Sequence, residues 1–96
     1  MLFHVSWEFV DTSEEGNRRS LAVFQAWQPE GVEFKGFWGF ADGTGGVALV
    51  ESDDASALFR TTAPWSPWLR FTAKPIVPIE EATQISMEAM GFRDSV

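Results

Sequence analysis

Residues 2–9, LFHVSWEF, alternate Phe3, Val5, Trp7 and Phe9 with Leu2, His4, Ser6 and Glu8. That period of two predicts a strand with two unlike faces. In the DTSEE segment that follows, Thr12 or Ser13 can cap a helix, Glu15 stands three residues after Thr12, and the first turn is acidic. The spacing predicts a helix from about Ser13 to Trp27. Leu21, Phe24 and Trp27, with Ala22 and Ala26 alongside, form its core stripe, and Glu14 with Arg18 and Glu15 with Arg19 are ion pairs at helical spacing. Pro29 and Gly31 end it.

VEFKGFWGFA, residues 32–41, and GVALVE, residues 46–51, read as two strands joined through Asp42-Gly43-Thr44-Gly45, where the chain can take positive φ. In SDDASALFRTT, Ser52, Asp53 or Asp54 can cap a short helix whose inner face is Ala55, Leu58 and Phe59. Pro64 and Pro67 force a turn in APWSPW. LRFTAKPIVPI, residues 69–79, alternates again, and Pro75 and Pro78 remove ladder donors, as suits an edge strand. EEATQISMEAMG closes the pattern as a helix from about Glu80 to Met90, with Gly91 as its C-cap.

The order βαββαβ plus a trailing helix predicts an α+β, ferredoxin-like fold with a four-stranded antiparallel sheet, built as one domain over residues 1–96. In the strand order 4-1-3-2 expected for that fold, one register of the first and last strands sets Glu8 opposite Arg70, Ser6 opposite Thr72 and His4 opposite Lys74. On the reverse face Phe3, Val5 and Trp7 would meet Ala73, Phe71 and Leu69. In the middle hairpin Phe34, Trp38, Phe40, Val47 and Leu49 fall on one face, and Phe37, Ala48 and Val50 on the other. Two helices cover only one side of such a sheet. The other side is therefore an apolar surface in need of a partner, and a homodimer with facing sheets is expected, the alternative being a trailing helix folded back over it.

Composition narrows the function classes. Cysteine is absent, which removes disulfides, thiolate nucleophiles and thiolate metal sites, and fits a cytoplasmic protein. No apolar run reaches the length of a membrane span, and no basic, then apolar leader opens the chain. A net charge of −7 repels phosphate backbones, and GGVALVES has none of the basic and aromatic residues that RNA-recognition domains place on a central strand. Neither nucleic acid nor membrane is an expected partner. The glycine-rich stretch GFWGFADGTGGVALVESDDA fits no dinucleotide or P-loop pattern, and it lies between strands rather than before a helix. Its ESDDA end could offer carboxylates to a hard cation, but a strand end followed by a helix cap explains it as well. No metal or cofactor is expected.

MLFHVSWEF, the glycine-rich stretch and the PW-to-PIVPI segment, in that order, resemble a family of small bacterial proteins with a domain of unknown function, placed in the dimeric α+β barrel superfamily. His4 stands where that family has an apolar residue. The resemblance implies a dimeric barrel over residues 1–96. The wider superfamily includes cofactor-independent monooxygenases, isomerases and dehydratases acting on aromatic or polyketide-like molecules, and some haem-handling proteins, which implies a pocket rather than a particular reaction.

His4 is the only histidine and the one candidate for proton transfer near neutrality. Its neighbours in the row, Ser6 and Glu8, alternate at roughly 6 to 7 Å, too far apart for a ready-made triad. The row is better suited to line a small pocket: Ser6, Glu8, Arg70 and Thr72 as polar handles beside the Phe37 ring, for an aromatic or organic-acid ligand, with His4 as the catalytic candidate. The plainer alternative is a Glu8–Arg70 cross-strand ion pair, a Ser6–Thr72 hydrogen bond and a partly exposed His4. Trp65 and Trp68 could gate a pocket or clamp a loop, and Trp7, Trp27 and Trp38 read as core. The expected function is that of a small-molecule-binding homodimer. The alternatives are an enzyme using His4 and a structural protein whose open sheet face binds another chain.

Overall fold

A computed structural model describes residues 1–96. The elements are β1 (Leu2–Phe9), α1 (Glu14–Ala26), β2 (Glu33–Gly39), β3 (Gly45–Glu51), α2 (Ala55–Thr62) with a 3-10 turn over Ala63–Trp65, β4 (Leu69–Ile76) and α3 (Ile79–Asp94). The sheet is antiparallel in the order β2-β3-β1-β4, so the architecture is the ferredoxin-like α+β fold with an extra C-terminal helix.

Local chemistry sets the boundaries. Ser13, rather than Thr12, caps α1, its side chain accepting from the Gly16 amide at 3.0 Å. Asp54 caps α2 by accepting from the Ser56 amide at 2.8 Å. Gly43 turns the β2–β3 hairpin at φ +76°, and Asp42 accepts from both the Thr44 amide and its hydroxyl. Glu14 and Arg18 pair at 2.6 Å, whereas Glu15 and Arg19 form no such bridge. β4 stops at Ile76, opposite Leu2, because β1 offers no partner beyond it and Pro78 has no amide to give.

Several expectations need correction. Gly91 does not end α3, which runs on to Asp94: a lone glycine costs a helix about 1 kcal/mol and does not stop it when helix-tolerant residues follow. The β1–β4 register pairs Glu8, Ser6 and His4 with Arg70, Thr72 and Lys74 as expected, but on the reverse face it pairs Trp7 with Phe71, Val5 with Ala73 and Phe3 with Pro75. One register fixes both sets, so an offset between the two faces is not available to a regular ladder. Finally, Phe34 does not share a face with Trp38. The β2–β3 register shifts between Phe34 and Gly36, and the irregularity brings Phe34 round to the side of Phe37, their rings stacked at 5.1 Å.

The core lies between the sheet and α2: Phe3, Val5, Ala48, Val50 and Leu58 are buried together, with Trp7, Val32, Phe34 and Phe71 packed around them. Burial elsewhere is thin. Only 13 of 96 residues are buried, Leu21 and Phe24 of α1 are half exposed, and the inner face of α2 is Ala57, Leu58 and Thr61 rather than Ala55, Leu58 and Phe59, because the helix is turned so that Phe59 points outward. The accessible surface is 7025 Å², whereas a compact monomer of this mass exposes about 5,500 Å². The molecule measures 59 × 28 × 21 Å with a radius of gyration of 17.3 Å, against about 12.5 Å for a compact chain of this length. α3 accounts for the elongation: none of its residues is buried.

Candidate functional site

Two regions concentrate binding chemistry, one on each face of the sheet. On the helix side, α1 stands off the sheet far enough to leave a cavity of about 270 Å³. Its floor is Val5, Trp7, Ala48, Val50 and Phe71, and its walls are Leu21, Phe24 and Trp27 of α1, Phe34 and Phe37 of β2 and Leu58 and Trp65 from the α2 side. Asn17, Ser20, Thr61 and Thr62 are its polar members, and no charged side chain reaches it.

The rings of this cavity hold one another at defined angles. Phe37 meets Trp7 edge-on at 5.3 Å and Phe24 at 6.2 Å, and Trp27 meets Phe34 at 5.4 Å and Trp65 at 4.9 Å, all near perpendicular. Edge-to-face contacts between rings this bulky keep α1 from settling flush on the sheet. Trp65 anchors the assembly: its indole N–H donates to the Ser20 carbonyl at 3.1 Å in a buried bond that ties the turn after α2 to α1. It clamps a loop to the core rather than gating a pocket. Thr61 gives its hydroxyl proton to the Ala57 carbonyl at 2.8 Å.

On the open side, β1 and β4 carry the polar row. Arg70 donates to Glu8 at 3.1 Å across the ladder, and both side chains are mostly exposed. Ser6 lies directly opposite Thr72, but no hydrogen bond joins them. His4 is exposed between Lys74 and Leu49, and no side chain is hydrogen-bonded to its ring. Ser6, Glu8, Arg70 and Thr72, with Trp7 and Phe40, line an open pocket of about 300 Å³.

Phe37, expected among them, belongs to the opposite face. It pairs with Ala48, which pairs with Val5, and it therefore lines the aromatic cavity. The β2–β3 half of the open face is apolar instead: Val47 and Leu49 lie on it with Trp38, 53% exposed and thus not core as expected. The Trp38 ring lies flat across Gly36, where any side chain would collide with it.

The ESDDA segment acts as a strand end and helix cap. Asp54 holds the first turn of α2, Ser52 donates to the Asp54 carbonyl at 2.9 Å, and Glu51 and Asp53 face the Met1 ammonium. The aromatic cavity itself went unread in the sequence, although its signal was present: rings crowd α1 and β2, and an isolated glycine within β2 marks the irregularity that turns Phe34 and Phe37 to the same side.

No helix is long and apolar enough to cross a membrane. No curated protein matches the chain. The strands, the caps and both faces of the sheet fall within residues 1–90, and over that span the chain matches, and belongs to, DUF3303, a family defined by a domain of unknown function.

Proposed function

We propose that this chain is a small-molecule-binding domain that works as a homodimer and seats a neutral aromatic ligand in the cavity between α1 and the sheet. The cavity is the observation that carries the reading. The pocket is open on one side, and its 270 Å³ has room for a molecule of one or two rings. Trp7, Phe24, Trp27, Phe34 and Phe37 offer it faces and edges, and the Asn17 amide is available to a single polar substituent, while the Ser20 and Thr62 hydroxyls, which donate to the Asn17 and Phe59 carbonyls, are left only to accept. With no cation in the lining, a carboxylate gains no charged partner there, so a phenol or indole suits the pocket better than an organic acid. Dimerisation is supported by the surplus of exposed surface, about 1,500 Å² above the expected value, where a stable interface takes roughly 800 Å² from each partner.

Titration with indole, naphthalene, 2-naphthol and benzoate, read by calorimetry, tests the ligand. Saturable binding of the neutral compounds and little or none of benzoate is expected. Leu21→Trp, which fills the mouth of the cavity, and Phe37→Ala, which removes a wall, should each weaken it at least about tenfold, the equivalent of about 1.4 kcal/mol. Absence of saturable binding by any neutral compound, or binding indifferent to both variants, would overturn the reading.

A further inference from the structure

α3 presents an unpaired face that the fold does not use. At about 100° per residue, Ala82, Ile85, Ala89 and Phe92 form a narrow apolar stripe along it, flanked by Glu81 on one border and by Arg93 and Ser86 on the other. The stripe is bare: Ile85 is 52% exposed and Phe92 70%. A helix of this length is marginal in water on its own, so its order calls for a surface against which to pack.

We infer that α3 lies along the β2–β3 half of the open sheet face of a second copy, and that the second copy's α3 lies on the first in return. The inference rests on the homodimer proposed above and names the segment that makes it. Dimensions agree: a helix about 10 Å wide covers two strands spaced about 4.8 Å apart, and 16 residues of helix span about 24 Å, the length of a 7-residue strand. Chemistry agrees as well. The β1–β4 half is polar, whereas Trp38, Val47, Leu49 and the nearby Phe40 offer the apolar side of α3 what it lacks.

The chain's own α3 is poorly placed to lie along β2 and β3. β4 and β2 are opposite edges of the sheet, about 14 Å apart, and only Val77 and Pro78 separate β4 from α3. Pro78 is extended at φ −55°, ψ 148°, and a proline also keeps the residue before it extended. From there α3 can reach its own Trp38 only by running across the strands and over the polar row, not along β2 and β3.

The test uses the full chain with p-benzoylphenylalanine in place of Phe92. Nitrogen-14 and nitrogen-15 chains are mixed, unfolded, refolded together and irradiated, and the cross-linked peptides are read by mass spectrometry. Expected are mixed-isotope pairs joining α3 to residues 36–40 or 47–49. Same-isotope pairs alone, links confined to other segments, or no link at all would overturn the exchange. In parallel, Ile85→Glu should weaken dimerisation at least about tenfold by sedimentation, since a carboxylate would have to be buried. If the unaltered chain is a dimer and Ile85→Glu matches it, the α3 exchange fails and the dimer stands; if the unaltered chain is a monomer, both fail.

Discussion

Gly46 shows how a single position can hold the sheet to one geometry. A side chain there would overlap both the Trp7 ring and the Trp38 carbonyl, because β3 passes directly between the strands that carry them. Gly46→Ala is expected to cost about 1–3 kcal/mol as an overpacking change, measurable as a lowered urea midpoint with unchanged slope. Asp42 works through charge. The Thr44 hydroxyl first, and then the Thr44 amide, hold its carboxyl below the ordinary aspartate range. A depressed acid stabilises the folded state at pH values above its unfolded titration, and that contribution is lost as the pH falls through the folded value. A carbon-detected titration should therefore place the Asp42 midpoint below that of an unfolded reference peptide, and Thr44→Val should move it back up. At this scale the sequence was informative wherever chemistry is local. The Asp42–Gly43 turn and the polar cross-strand pairs of β1 and β4 follow from residue type and alternation alone. Phe37 did not, because its side is set by a shift of pairing between β2 and β3, which alternation within β2 cannot reveal.

Among the elements, α2 depends most on its ends. It has 8 residues, so the bond from the Ser56 amide to Asp54 is a large part of what starts it. Asp54→Ala should remove about 1 kcal/mol and lower the thermal midpoint, while the binding proposed for the cavity persists at temperatures well below the melt. α1 illustrates the limit of reading a stripe. Leu21, Phe24 and Trp27 do face the sheet, as their spacing demands, but their depth of burial depends on how rings from β2 meet them, and perpendicular contacts leave space where flat ones would close it. The existence of α3 was equally legible. Its placement was not, since an apolar side says that a helix needs cover and nothing about which surface supplies it.

For the whole molecule, charge and apolar surface pull in opposite directions. Each copy carries −7, so two copies repel while their exposed apolar faces attract. Raising ionic strength from about 0.1 M to about 1 M shortens the screening length from roughly 10 Å to 3 Å. The proposed dimer should tighten over that range in sodium chloride, as followed by sedimentation equilibrium, and a dimer held mainly by ion pairs would loosen instead. The two flanks of the sheet add a constraint on growth. β4 bears Pro75, which cannot donate to a neighbouring strand, and β2 is broken by its shifted pairing beside Lys35. Both borders therefore disfavour edge-to-edge pairing, the route to ribbons and fibrils. The proposed dimer joins broad sides instead, where an encounter uses up the surface that made it and growth stops at a finite size.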